Sequence, residues 1–373
     1  MSGCAKVNFT LAKACFSILE IRCRKRAFGS FSTTSFLFLK MKNFSALLLV
    51  ILLALAGQLA SAQTIRRVNN TGITGINIYV DLTSAQTAAA NGDILQVEPS
   101  TTAYAGFSCN KQLTIVGPGY FLAENQPPAL QANVIPATVG AISFGAGSAG
   151  TTVSGLSGNT SWYIATNNIT VQRCYIPGGY LYVGYGLVTN GAVIRQNYML
   201  GVQESSPATN SLITNNIFVN GSTNIASVSS TGEFSNNSCV NTAISLNNFT
   251  VRNNYFGSTF TPTANTNWAY NLLAAATLPT PGTASYNTAN VPAASVFAQT
   301  TGSPQYDGWY KLKTGTNPAT GGGQGGIDIG ATGSATGYGY HFGGLPAIPA
   351  IYQLNQSVTG NTLNVTLGTR SNN

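Results

Sequence analysis

Charge is what this sequence has least of. Asp, Glu, Lys and Arg make up 7% of its 373 residues, against roughly 25% in an ordinary soluble domain. With so little Lys and Glu there are few strong helix formers, which argues against a helical bundle. His341 is the single histidine, and no motif places a Ser or Cys beside it, so a nucleophilic triad has no anchor. No C-x-x-C or His-rich spacing offers a metal site, and no cofactor motif appears. The "GGGQGG" stretch at 321–326 lacks the Gly-Lys-Ser/Thr that a phosphate loop needs. Apolar residues still reach 44%, so the chain is not disordered for want of a core.

The formal charge of +8 is unevenly distributed. Beyond Ala62 there are nine basic and eight acidic residues, so the excess lies almost wholly in the first 62 positions. The body therefore lacks the positive field that nucleic-acid binding requires.

The segment "MKNFSALLLVILLALAGQLASAQ" starts at Met41. Lys40 and Lys42 supply a positive flank, Phe44 to Gly57 an apolar run, and Ala60-Ser61-Ala62 a small-residue cleavage signal before Gln63. These are the parts of a secretory signal peptide, and the run is short for a membrane span. The expectation is an exported chain, secreted or at the cell surface (the periplasm included), with no span after cleavage. Residues 1–40 read as upstream sequence translated in frame, with Met41 the true start; the alternative is a genuine extension. Cys109, Cys174 and Cys239 follow the leader, an odd number that reads as buried small apolar side chains.

What the chain has in abundance is a word: a short apolar run, a pair of polar residues usually containing Asn, then another apolar run. It recurs as "AVIRQNYM" at 192–199, "SLITNNIF" at 211–218, "GEFSNNSC" at 232–239 and "FTVRNNYF" at 249–256. Aligned on Val171, Ile194, Ile213, Phe234 and Val251, the steps are 23, 19, 21 and 17 residues. Such periods indicate a solenoid with one coil per repeat, in which stacking supplies the core. The register then assigns columns, because neighbours in a strand point to opposite faces. Ile176, Met199, Phe218, Cys239 and Phe256 point inward, and Gln172, Arg195, Thr214, Ser235 and Arg252 outward. Asn197, Asn216, Asn237 and Asn254 form a stacked corner ladder, with the left-handed turn assigned to the same asparagines. Upstream, Thr83-Ser84-Ala85-Gln86 has capping-box spacing for a short helix covering the open end of the solenoid. The expected organisation is a β-helix with its cap over 63–345 and a tail over 346–373 containing one strand.

The helix, "NGDILQVEPSTTAY", "KQLTIVGPGYF" and the Asn-cornered coils together resemble secreted right-handed parallel β-helix proteins of the pectin-lyase-like class. "DGWYKLKTGTNPATGGGQGGIDIGA" resembles their closing segment, and "GLPAIPAIYQL" with "NTLNVTLGTRSNN" the tail of a Bacteroidetes-type subgroup. The resemblance spans about 63–373 and implies an all-β right-handed parallel β-helix. It says little about activity, because this fold carries lyases, hydrolases, adhesins and proteins without a known reaction.

The lyases of that class use an Arg or Lys base with acidic residues holding calcium, and the hydrolases use clustered Asp. The coils from 151 to 260 offer Glu204, Glu233, Arg173, Arg195 and Arg252 as their only charged residues. The register spreads these over several coils, and a surface ion pair between Glu233 and Arg252 is the simplest reading. Tyr175, Tyr198 and Tyr255 share one column on the outer face, where aromatic rings with hydroxyls suit a sugar. Two functions follow: a non-catalytic scaffold, adhesin or glycan binder of an extracellular polysaccharide, or a polysaccharide lyase or glycosidase built on Arg195, Arg252, Glu204 and Glu233. The oligomeric state is left open.

Overall fold

Strands of two to four residues alternate with tight corners along most of the chain, and each strand pairs in parallel with its counterpart one coil later. The computed structural model describes residues 63–125, 130–334 and 339–370; the expected leader and upstream extension lie in 1–62, outside the described residues. Three stacked parallel sheets form the walls of an all-β solenoid. The first wall has twelve strands, and the second and third have eight each. One coil shows the plan: Thr170–Gln172 lies in the first wall, Tyr175–Ile176 in the second and Leu181–Val183 in the third. The next coil restarts at Val193–Arg195.

The observed pairing is the register read from the sequence. Val171 pairs with Ile194, Ile194 with Ile213, Ile213 with Phe234, and Phe234 with Val251. All five are fully buried, as are the inward residues Ile176, Phe218, Cys239 and Phe256 of the second wall. Inside the coils, Phe218, Phe234, Phe256 and Phe260 stack in series with centroids 5.8, 6.3 and 4.4 Å apart. The three expected free cysteines are buried. Burial pushes each thiol up, that of Cys174 to about 12.

The two residues of each corner pair do different jobs, which revises the sequence reading. The first holds the left-handed backbone: Arg173, Gln196, Asn215, Asn236 and Asn253 have φ between 52° and 58°. The second makes the ladder. Asn216 donates its backbone N–H and its Nδ2 to Oδ1 of Asn237, at 2.9 and 3.0 Å. The same pair of bonds links Asn197 to Asn216, Asn237 to Asn254, Asn254 to Asn271 and Asn271 to Asn287. Each Nδ2 also donates to a main-chain carbonyl on the preceding coil, as Asn216 does to Ile194. Asn271 and Asn287 belong to this ladder but had not been assigned to it.

The short helix spans Leu82–Ala88, with Leu82 and Ala85 buried. Its N-cap is Asp81, whose side chain accepts the Ser84 N–H at 2.7 Å. The cap therefore sits two residues before the expected Thr83. Gln86 is used instead to reach the coils: its Nε2 donates to Ser108 O and its Oε1 accepts the Asn110 N–H. Asp93 is similarly local. Burial would raise its pKa, but N–H groups of Ala90 and Thr64 and the Arg66 guanidinium outweigh that and hold it low.

The coils end at Thr283–Ser285, earlier than expected. The chain then runs back along the outside of the solenoid as an irregular strap. Side chains of the left-handed corner column hold it rung by rung. Asn253 Oδ1 accepts the Gln324 N–H, and Asn236 donates to Asp328 O. Asn215 donates to Ala331 O and Gly333 O, Gln196 to Gly339 O, and Arg173 to Leu345 O. Beneath the strap lies a second core that includes Ile217, Tyr255, Val296, Phe297, Trp309 and Tyr310. The tail holds two strands rather than one: Ala350–Thr359 and Thr362–Arg370 form an antiparallel hairpin.

Candidate functional site

The strap changes the setting of the tyrosine column. Tyr175, Tyr198 and Tyr255 do point away from the coil interior, because the next residue along each strand is an inward one. Tyr198 and Tyr255 are nevertheless buried, and Tyr175 is half-buried. Tyr255 packs edge-on against Phe297 and its hydroxyl donates to Val291 O. Tyr198 lies against Phe121 and Tyr310. Burial pushes these phenols far above their usual range. The sugar contact expected of this column meets a closed surface, because the column is spent on holding the strap.

Glu233 and Arg252 form the surface ion pair read from the sequence, whereas Arg195 was expected to lie apart from them, and here the strap again makes the difference. All three line one cleft of about 440 Å3 between the first wall and the segment around Gln324 and Ile327. Within it, Glu233 Oε1 accepts from Nε and Nη2 of Arg252 at 3.1 and 2.9 Å. Both side chains are about one-third exposed, so the pair contributes at most about 1 kcal/mol. Arg195 Nε donates to Gln172 Oε1. Glu204 does not join them. It sits in the third wall, at the end of Val202–Glu204, and its carboxylate accepts from Ser227 N–H and the Ser230 hydroxyl, organising that loop. A glycosidase needs two carboxyl groups roughly 5–9.5 Å apart across a bond. The cleft offers one, already paired with an arginine.

Asp307 is the most perturbed acid. Fully buried, it accepts from Asn125 Nδ2, the Tyr340 hydroxyl and the Gly343 N–H, at 2.7, 3.1 and 2.7 Å. Burial raises its pKa to about 6 in spite of these bonds. Tyr340 continues the network to Tyr120, 2.6 Å away. With Asp307 itself shut off from solvent, this cluster ties the strap to the first coils. Among the described residues no group of His, Cys, Asp and Glu is arranged to hold a metal ion.

The open aromatic surface lies on a different wall. Tyr163 and Tyr182 are paired neighbours in the third wall, flanked by the inward residues Trp162, Ile164, Leu181 and Val183. Their rings stack at 5.4 Å with 17° between planes. Tyr185 leans on Tyr163 at 4.5 Å, and Tyr180 meets Tyr182 edge-on at 6.5 Å. Tyr185 is about half exposed, and Leu187 and Val188 beside it are more so. The turn that delivers Tyr185 depends on Gly184, which has φ +64° and would place a Cβ 1.9 Å from Ser206 O. That turn lets the Tyr185 N–H reach Ile164 O at 2.9 Å. Along the same outward column, the next coils carry Gln203 and Asn224. The result is a cluster of four tyrosines bordered by amides. The sequence signal was present: Tyr163 and Tyr182 are 19 residues apart, within the range of the coil repeat, each between two apolar residues. It was missed because the register was anchored on the Asn words of the first wall alone.

No helix among the described residues is long and apolar enough to cross a membrane. Comparison of the chain with protein-family models, with curated proteins and with solved structures finds no match in any of the three.

Proposed function

We propose that this protein is a secreted or cell-surface β-helix of the pectin-lyase-like kind that binds an extracellular polysaccharide without cleaving it. The observation that carries the reading is the Tyr163–Tyr182 stack with Tyr180 and Tyr185 on an uncovered wall. Rings offer apolar surface to the C–H faces of a sugar while their hydroxyls and the nearby amides exchange hydrogen bonds with its hydroxyls. Glu204, the acid beside Gln203 on this wall, is taken up by Ser227 and Ser230, which suits a neutral glycan better than a uronic one. The solenoid repeats every 4.8 Å or so, close to the length of one hexopyranose unit, so successive coils can meet successive sugars. The argument against catalysis is the arrangement of charge. General acid–base cleavage needs a positioned, available group, and the one carboxylate of the cleft that Arg195 and Arg252 line, Glu233, is bonded to Arg252.

The test is affinity electrophoresis of the purified protein through gels containing neutral and acidic polysaccharides, with new reducing or unsaturated ends measured in parallel. Retardation by a neutral glycan, weakened about tenfold or more by Tyr163→Ala or Tyr182→Ala at unchanged circular dichroism, supports the reading. New ends that disappear in Arg195→Ala or Glu233→Ala would overturn it and assign the cleft to cleavage.

A further inference from the structure

The C-terminal hairpin is two-faced. Cross-strand partners share a face, so Leu354 with Leu367, Gln356 with Val365 and Val358 with Leu363 lie on one side. Gln353 with Gly368, Asn355 with Thr366, Ser357 with Asn364 and Thr359 with Thr362 lie on the other. The second face carries polar side chains and glycine, with the Tyr352 ring lying over Gly368 near its base. On the first, Leu354, Val358, Leu363, Val365 and Leu367 are 54%, 72%, 61%, 55% and 55% exposed. The base of the hairpin is tied to the body: the Ala132 N–H donates to Ile351 O, and Arg370 Nη2 to Leu130 O, and Leu354 stands at the edge of a cleft shared with Glu98 and Gln131. An isolated two-stranded ribbon is marginal in water, and one with an open leucine–valine face lacks a partner.

We infer that this face is a homodimer interface, filled by the same face of a second copy related by a two-fold axis. Three features select a second copy over another occupant. The hairpin carries one charged residue, Arg370, at its base, so nothing on the face recognises an acidic or basic partner. The five apolar side chains and Gln356 present roughly 500 Å2 per copy, and a face-to-face pair removes roughly 1,000 Å2, the lower bound of a specific interface. Gln356 is the third feature. It stands alone among apolar residues, midway between the Leu354–Leu367 pair and the Val358–Leu363 pair.

A purely apolar partner would bury its amide without a hydrogen bond. A two-fold axis crossing the strands at its level sets Gln356 against Gln356 of the partner subunit, where the two amides satisfy each other. It also packs Leu354 on the partner's Val358 and Leu367 on the partner's Leu363. The two hairpins then run antiparallel, leaving their solenoids at opposite ends. A lone polar pair in an apolar seam fixes register in this way.

The test is sedimentation of the full chain over a wide micromolar range. Wild type is expected to rise from monomer toward dimer with concentration. Leu363→Asp should weaken association about tenfold or more. The decisive variant is Gln356→Glu, which sets two carboxylates against each other at the axis. It should associate near pH 4, where a glutamate is about half protonated, and lose association about tenfold or more by about pH 8. Wild type should change far less between these values: Tyr352 and Arg370 are the only titratable side chains on the hairpin, and Glu98, which lines the cleft beside Leu354, is already held by Arg67 and Asn69. Should Leu363→Asp disrupt the ribbon itself, the pH response of Gln356→Glu still decides the matter. A wild-type monomer at every concentration overturns the inference. So does association that ignores both substitutions, or capture of a monomer by neutral lipid vesicles through this face.

Discussion

Replacing Asn216 by Leu tests the ladder at its middle. The side chain is fully buried. Its Oδ1 accepts from Asn197 N–H and Nδ2, both at 3.0 Å, and its Nδ2 donates to Ile194 O and Asn237 Oδ1, at 2.9 and 3.0 Å. Leucine has the same branching, though more bulk, and keeps the backbone bond to Asn237. It leaves the buried Asn197 N–H and the Ile194 carbonyl without their side-chain partner, whereas Asn197 Nδ2 keeps its bond to Val171 O. Each orphaned group costs about 1–3 kcal/mol. Against this stands about 1–2 kcal/mol gained from burying an apolar side chain. At about 2 kcal/mol for each of the two groups, the net loss is about 2–3 kcal/mol, a large fraction of a typical 5–15 kcal/mol total. For a chain of this size that lowers the midpoint of thermal unfolding by roughly 3–5 °C. The assay is thermal and denaturant unfolding followed by circular dichroism, with Asn224→Leu as the control on the exposed column of the third wall. The control should stay within about 0.5 kcal/mol. An Asn216→Leu protein as stable as its control would refute the assignment of stability to the ladder.

Asp307 predicts a pH dependence. Its folded pKa, about 6, lies above the ordinary 3.8, so the fold favours the protonated acid. That contribution is complete below about pH 4 and is lost as pH rises to about 6, a change on the order of 3 kcal/mol. Unfolding free energies measured across that window should fall in wild type and lose this component in Asp307→Asn. Asn215→Ala should release the strap: it removes the bonds to Ala331 O and Gly333 O and puts alanine at φ 55°, a strain of about 1–2 kcal/mol. Faster limited proteolysis within 324–334 is the readout, and unchanged cleavage would count against the clamp. Cys109, Cys174 and Cys239 should resist iodoacetamide in the native protein and react after denaturation, because burial both shields the thiols and raises their pKa. Mass spectrometry reads the outcome. Gly184→Ala should weaken glycan retardation as much as Tyr163→Ala does, since any Cβ there collides with Ser206 O and displaces Tyr185.

The coil architecture was legible in the one-dimensional text because a solenoid repeats locally. Each wall position recurs about every twenty residues, pairs with its neighbour, and alternates inward and outward with the pleat. Val171, Ile194, Ile213, Phe234 and Val251 could thus be aligned from spacing alone, and so could Asn197, Asn216, Asn237 and Asn254. What the text could not separate was the work of two adjacent asparagines. Only backbone geometry shows that Asn215 takes the left-handed turn while Asn216 carries the ladder.

The strap lay further out of reach. Residues 291–345 have no repeat, and their partners can stand more than 200 positions away, as Tyr120 does from Tyr340. No local pattern announces such contacts. They alone decide that Tyr198 and Tyr255 are core rather than surface, and that Arg195, Glu233 and Arg252 share a cleft. They also leave the Tyr163 and Tyr182 wall uncovered. Sequence periodicity determines which side of a strand faces the inside of its own coil. Whether the opposite side meets water or another part of the chain is a long-range packing outcome, and that choice belongs to the tertiary structure.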